Sequence, residues 1–384
     1  MAAALLMLAA CQPGGAAPVA ATSPSPPTAG LRPQTSVGPG EGVLDLITWD
    51  GYTEDAWVKR FTQETGCQVR PHYAASSAEM VKLMSGGGGG QWDMVSAPGD
   101  ISLDLIYSGE VKPMNPALIP DWSDFSAFFQ AAPYNTVGGV HYGISLQWSP
   151  NTLLYNTRKL TAAPTSWSVL YDSSHKGAIT VPDNPMQIAD AALYLQKTRP
   201  ELGIKDPFEL DKAQFDDALS LLSLQHPLVK RYWSIASDEI SMFQDGSVVA
   251  GSGGPYQAVA LQSIGIPVAE TVPAEGATAW GDSWMLAAGA PHPNCAYRWT
   301  AYVSAAQVQA QQALFFGETP VNPKACPAMN AQQEGSCAKY HADTSASYFA
   351  AMSFWKTPRA ECGSGRTCVP YADWVSAWAA LKNQ

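Results

Sequence analysis

Apolar and polar positions follow two alternating rhythms over residues 43–150. Val43-Leu44-Asp45-Leu46-Ile47-Thr48-Trp49 is a short apolar run of strand length. Thr53 is placed to cap a helix with Glu54 and Asp55 in its first turn, Trp57, Val58 and Phe61 along its apolar stripe, and Gly66 as its stop. Cys67 to Tyr73 reads as a second strand, and Ser77 opens a helix through Met80, Val81 and Met84. Trp92 to Ser96 is a third strand, with Asp100 capping the helix behind it. Strands alternating with helices predict an open α/β sheet.

Tyr142 to Trp148 reads as a strand leading into a second region. There the pattern repeats: strand over Gly177 to Val181, helix over Ile188 to Gln196, strand over Val248 to Gly251, helix over Tyr256 to Ser263. Asp282 to Ala288 looks like a return strand, and Gln307 to Phe316 and Trp374 to Leu381 are late helices. Ligands of open α/β sheets sit beyond the carboxyl ends of strands. Trp49, Ala97 to Asp100 and Asn184 occupy such positions, so two facing lobes would form a cleft. The run Gly86–Gly90 reads as a surface loop; it lacks the Lys-Ser/Thr of a phosphate cradle.

Composition narrows the class. The 384 residues carry 22 basic and 33 acidic side chains, a net charge of -11 that disfavours a nucleic-acid surface. With 46% hydrophobic and only 14% charged residues, the chain has enough apolar surface to fold. It also holds 13 Trp and 15 Tyr, a profile of an exported protein. Met1 to Ala10 is almost purely apolar and ends in Leu8-Ala9-Ala10-Cys11, the pattern of a bacterial lipobox, although no basic residue precedes it. Residues 1–11 are therefore expected to be a lipoprotein signal with Cys11 as lipid acceptor. Gln12 to Gly42, rich in Pro, Ala, Gly, Ser and Thr, is expected to be a flexible tether.

Six cysteines remain: Cys67, Cys295, Cys326, Cys337, Cys362 and Cys368. An even set in an exported chain suggests disulfides. Short turn-rich loops suit Cys326 with Cys337 and Cys362 with Cys368, leaving Cys67 and Cys295 as a long-range pair. Sequence alone does not prove the connectivity. A zinc site is the rival, but no CxxC pair is present and no His stands at ligand spacing.

Catalytic motifs are absent. The six His are scattered, and neither HExxH, GxSxG nor a Walker pattern occurs. Gly251-Ser252-Gly253-Gly254 follows a strand, but Tyr256 occupies the last Gly of a dinucleotide fingerprint. Recognition chemistry is better represented. Trp49-Asp50-Gly51-Tyr52 and Trp280-Gly281-Asp282 set aromatics beside acids. Aromatic faces attract cations and carboxylates bind ammonium groups, so the pair suits an amine on an aliphatic stem. Core tryptophans with solvated acidic caps give the same pattern, and residue types alone favour that reading.

Several segments resemble the substrate-binding proteins of bacterial ABC importers, specifically the spermidine/putrescine-binding group. They are Trp49-Asp50-Gly51-Tyr52 with Arg60 to Gly66, Trp92-Asp93-Met94-Val95, Thr165-Ser166-Trp167 with Lys176-Gly177, and Trp280-Gly281-Asp282-Ser283. Cys67, Cys295 and the tail from Trp355 to Cys368 resemble one branch of that group. The resemblance runs from about Leu44 to the C-terminus. It implies an α/β, two-lobed type 2 periplasmic-binding fold, each lobe an open mixed sheet flanked by helices. Residues 43–148, with about 281–320 returning, form lobe 1; residues 149–280, with about 321–384 returning, form lobe 2.

By resemblance, Trp49, Tyr52 and Trp280 line an amine cleft and Asp282 takes an amine. Asn184 and Gln187 stand where the group has acids, and Gly254 where it has a Trp. Asp100 replaces an aromatic and Glu318 a Tyr, so negative charge has moved; with Asp50 these acids would neutralise ammonium groups. A Lys356 facing the cleft would instead suit a zwitterion such as an amino acid derivative or 4-aminobutyrate. The implied role is a lipid-anchored, monomeric, extracytoplasmic component that captures a small amine for ABC permease transmembrane subunits. It needs no cofactor and binds no nucleic acid. An exported hydrolase on the same scaffold and a non-transport receptor are the alternatives.

Overall fold

The computed structural model describes residues 25–85 and 90–384. Strand β1 (Val43–Thr48) is followed by helix α1 (Asp55–Thr65), β2 (Gln68–Tyr73), helix α2 (Ser77–Met84), β3 (Met94–Pro98) and helix α3 (Gly99–Ser108). The apolar stripe of α1 buries Trp57 and Phe61, and Gly66 ends the helix at φ 73°, a left-handed conformation that glycine adopts without steric cost. β2 and β3 flank β1, both parallel to it.

The local caps differ from expectation. Helix α1 is capped at Glu54 without a side-chain bond, because Thr53 Oγ1 pairs with Tyr73 Oη at 2.9 Å. Ser76, not Ser77, accepts the amide of Glu79 at the start of α2. Pro98 occupies the cap of α3, and the Asp100 carboxylate is held instead by the Tyr371 hydroxyl. At Thr53 and Asp100 a partner distant in sequence takes the side chain, whereas at α2 the local cap is kept one residue earlier.

After β4 (Gly143–Pro150) the chain passes Asn151 into the second sheet. That sheet contains β5 (Thr152–Asn156), β6 (Ile179–Pro182), β7 (Val229–Trp233), β8 (Ala250–Gly253) and β9 (Val268–Thr271), in the order β9-β5-β8-β6-β7. Helices α4 (Gln187–Thr198), α5 (Lys212–Gln225), α6 (Ala236–Gln244) and α7 (Pro255–Ser263) accompany it. The chain returns through β10 (Ala277–Leu286), which lies antiparallel between β3 and β4. Helices α8 (Pro293–Ser304) and α9 (Ala306–Phe316), then β11 (Thr319–Pro320) and β12 (Met352–Phe354), complete the first lobe's elements. Both sheets are mixed, and the molecule has two lobes.

Two crossovers lie side by side. Asn151 N donates to Thr278 O at 2.8 Å, and Asn151 Nδ2 donates to Thr278 Oγ1 at 2.7 Å. Thr278 Oγ1 in turn donates to Asp190 Oδ1 of α4 at 2.6 Å. The tail adds a third tie. Thr357 Oγ1 donates to Gly99 O of lobe 1 at 3.2 Å, while neighbouring Lys356 pairs with Asp206 and Glu209 of lobe 2 at 2.7 and 2.6 Å. Helix α10 (Tyr371–Lys382) then buries Trp374 and Trp378 in a core shared with α4 and α5.

All six cysteines pair: Cys67–Cys295, Cys326–Cys337 and Cys362–Cys368. The first joins the start of β2 to α8. Part of the expected tether is packed rather than flexible. Gly38 N donates to Asn294 Oδ1 at 2.7 Å, Arg298 donates to Gly38 O at 2.9 Å, and Glu41 accepts the amides of Asn294 and Cys295. Residues 36–42 therefore run over the start of α8, where the first amides of the helix donate to the Glu41 carboxylate and Arg298 satisfies the Gly38 carbonyl. Cys11, the expected signal and most of the Gly86–Gly90 run lie outside the described residues. No helix among the described residues is long and apolar enough to cross a membrane.

Candidate ligand-binding cleft

The carboxyl ends of β1 and β3 face those of β6 and β7 across a cavity of about 720 Å³. At the end of β1 the chain turns through Gly51 at φ 89°. A Cβ there would lie 2.9 Å from the Phe316 ring, so the turn needs glycine for both its angle and its contact. The turn delivers Trp49 and Asp50 to the cavity and buries Tyr52, whose hydroxyl donates to Asp282 Oδ2 at 2.7 Å.

Asp282 comes from inside β10, not from its start. The expected return strand began at Asp282, leaving Trp280 ahead of it; the observed strand starts at Ala277 and carries both. Its pairing with β4 slips between Gly281, which faces Trp148, and Ser283, which faces Ser145, so the extra residue lies on β4 opposite Asp282. Bulges re-aim side chains and are common beside functional sites. Gly281 also admits the Tyr134 hydroxyl, which would lie 2.8 Å from a Cβ.

The carboxyl groups are electrostatically costly. Burial pushes Asp282 up to about 7, the charge of Asp100 adds to this, and hydrogen bonds from Tyr52 and Trp49 oppose it. Glu318, half-buried after the left-handed Gly317, is held well above the carboxylate range by desolvation and by Asp282. Asp100 is 1% exposed and also raised by burial; Tyr371 donates to its Oδ2 at 2.9 Å, while its Oδ1 has no partner among the described residues.

Lobe 2 contributes Asp183 and Asn184 after β6, and Trp233 with Ser234 and Ile235 at the end of β7. Asp183 already holds Trp378 Nε1 at 2.9 Å and the Lys382 ammonium. Eight of the nine anticipated positions therefore line one cavity: Trp49, Asp50, Tyr52, Asp100, Asn184, Trp280, Asp282 and Glu318. Gln187 does not. It is buried at the start of α4, where its amide donates to Asp190 Oδ2 at 2.6 Å and extends the crossover network. Lys356 is likewise absent from the wall, being held by Asp206 and Glu209.

Trp233, Trp355 and Asp183 line the cavity without having been anticipated. Asp183 and Trp233 obey the strand-end rule that singled out Trp49. Trp233 was missed because the β7 segment Val229-Lys230-Arg231-Tyr232-Trp233 carries two basic residues and does not read as a strand. Trp355 owes its place to pairing of β12 with β10, which no local pattern announces. Among the described residues, the lining includes five acids and no Lys, Arg or His.

Asp45, Asp93 and His292 also converge, their ligand atoms within 4.8 Å of one another. Protein donors already occupy that cluster. Arg70 engages both oxygens of Asp45, and Asp93 accepts from the amides of Asp45 and His292 and pairs with His292 Nδ1 at 2.9 Å.

The sequence model describing bacterial extracellular solute-binding proteins matches residues 56–336. The chain belongs to that family. Among relatives of this solute-binding protein, the putrescine/cadaverine-binding protein of Pseudomonas aeruginosa is 27% identical over 272 residues, 66% of this chain and 72% of the relative. The crystal structure of the spermidine/putrescine ABC transporter substrate-binding protein PotD from Streptococcus pneumoniae superposes with a TM-score of 0.68 at 17% identity, covering 88% of this chain and 99% of that one. The TpPotD lipoprotein of Treponema pallidum superposes with a TM-score of 0.72 at 16% identity, over 89% and 100% of the two chains. The two structural likenesses establish that the solute-binding protein shares their two-lobed fold.

Proposed function

We propose that this solute-binding protein captures a small amine-bearing cation, a polyamine such as putrescine or spermidine, and presents it to an ABC permease. One observation carries the reading: among the described residues, five carboxyl groups and no basic side chain line a cavity walled by tryptophans. The names of the relative from Pseudomonas aeruginosa and of the PotD structure point to the same ligand class.

The ammonium groups pair with Asp282, Asp100 and Glu318, and the aliphatic stem lies against Trp49, Tyr52 and Trp280. Micromolar affinity requires about 8 kcal/mol. Charge-assisted hydrogen bonds of roughly 1.5–3 kcal/mol each and aromatic contacts of about 0.5–2 kcal/mol each reach that scale. Contacts from both lobes favour closure, because a ligand shifts a conformational equilibrium only through differential affinity. A zwitterion needs a cation in the cleft, and Lys356 is engaged elsewhere. Binding rather than catalysis is the role, and a lipid on Cys11 holds the protein at the outer face of the membrane.

Calorimetric titration with putrescine, cadaverine, spermidine and 4-aminobutyrate tests the reading. Diamines are expected to bind, and Trp280→Ala to weaken them by about tenfold, or 1.4 kcal/mol. Binding of 4-aminobutyrate with none of the diamines would overturn it.

A further inference from the structure

A second cavity, also about 720 Å³, adjoins the first. Asp50, Asn151, Trp233, Trp280, Phe316 and Glu318 line both, so the two are chambers of one groove. Their chemistry differs. Beyond the shared residues, the first chamber adds Asp100, Asp183 and Asp282, whereas the second adds no charged side chain. Its own wall holds Tyr256 and Phe315, the uncharged polar Ser149 and Gln257, and Pro150, Gly253, Gly254 and Gly317.

Glycines shape that wall. A Cβ on Gly317 would lie 2.6 Å from Tyr256 Cδ2, and one on Gly51 would lie 3.0 Å from Phe315 Cε1. Both rings are thus seated directly on backbone. Gly254 is different. Its φ of -147° suits any residue, and the nearest atoms a Cβ would meet are Ser149 Oγ at 3.2 Å and Gln257 Oε1 and Pro150 O at 3.4 Å, contacts that small shifts relieve. The backbone does not demand glycine there, and a side chain would take up chamber space. Tyr256 and Phe315 remain 41% and 53% exposed, leaving aromatic surface uncovered beside the acidic chamber. Uncovered aromatic surface next to a polar anchor is the arrangement that takes a flat apolar group.

We propose that the second chamber receives a flat apolar substituent on the amine ligand, with Gly254 as the residue that keeps it open. The preferred substrate class is then an N-substituted diamine with one aromatic or similarly flat end, not a bare diamine. The inference rests on the amine reading above: ammonium groups anchor in the first chamber, and the substituent extends past Trp280 between Tyr256 and Phe315.

Calorimetry with two probes, putrescine and N-benzylputrescine, tests it. The benzylated probe is expected to bind the native protein at least about tenfold tighter. In Gly254→Trp the ratio of the two affinities is expected to collapse toward one; Tyr256→Ala, at a half-exposed site, supplies the same readout should the first variant fail to fold. Native protein that binds putrescine as well as or better than the benzylated probe overturns the chamber assignment and leaves the amine reading standing. A tenfold ratio surviving in the variants also overturns it. Binding of neither probe overturns the amine reading, and this inference with it.

Discussion

Tyr52 donates its hydroxyl to Asp282 Oδ2 at 2.7 Å across 230 residues of sequence. The bond fixes a carboxyl group whose pKa burial raises and partly offsets that rise, and it does so from the turn that also delivers Trp49. One oxygen of Asp282 is thereby committed to the protein. Asp282→Asn is expected to lower diamine affinity by at least about tenfold, since a charge-assisted bond is worth roughly 1.5–3 kcal/mol. Tyr52→Phe should lower it by less, with the fold retained. Titration calorimetry of both variants checks this, and native affinity in Asp282→Asn would remove the carboxyl from the site.

Affinity should depend on pH. An ammonium ligand needs Asp282 ionised, and burial has moved that ionisation up to about 7. Protons therefore compete with the ligand below that value. Diamine affinity is expected to rise from about pH 5.5 to about pH 8, by up to about tenfold per unit for each coupled carboxyl group. A flat profile over that interval would show that Asp282 ionises normally or does not meet the ligand.

Stability of the ligand-free protein should run the opposite way. Asp190 and Asp282 hold their protons to about 7 when folded, against an ordinary aspartate value of 3.8, both chiefly through burial. Between these values the folded state binds more protons than the unfolded state, so stability falls as pH rises. Thermal melting should occur at higher temperature near about pH 5.5 than near about pH 8, and Asp190→Asn should flatten the difference. A higher melting temperature at the alkaline end would contradict the burial of these groups.

Thr278 joins the two crossovers, accepting from Asn151 Nδ2 and donating to Asp190 Oδ1. Thr278→Val keeps the shape and removes both bonds at a site only 1% exposed. Chemical denaturation should register a loss of about 1–3 kcal/mol from the buried partners left unpaired. A loss below about 0.5 kcal/mol would place no weight on this network.

Lys356 separates two ligand classes. Burial alone would lower its pKa, but Asp206 and Glu209 more than offset this and raise it. Lys356→Met leaves those two carboxylates without their shared cation and should destabilise the protein by roughly 3 kcal/mol. Diamine affinity should stay within about twofold of native. A tenfold change would return this lysine to the cleft.

The elements along residues 43–98 were legible because period and punctuation are local properties: Phe61 recurs four residues after Trp57, and Gly66 ends the helix wherever the helix packs. The aromatic-acidic run from Trp49 to Tyr52 was legible as well, but that it turns at Gly51, at φ 89° against Phe316, is a finding of the structure. Gln187 and Lys356 show the limit. Each looked suited to a ligand, and each is satisfied inside the protein, by Asp190 and by Asp206 with Glu209.

The sequence by itself determined the alternation of strands and helices, the export-type composition, and the aromatic-acidic pairs at 49–52 and 280–282. Only the tertiary structure decided that Asp100, Asp282 and Glu318, separated by up to 218 residues, share one poorly hydrated space. It also decided that the neighbouring space, beyond the shared Asp50 and Glu318, adds no charged side chain among the described residues. The reason is physical: a residue's propensity is set by its neighbours in the chain, whereas its hydration and charge state are set by whatever the fold packs against it.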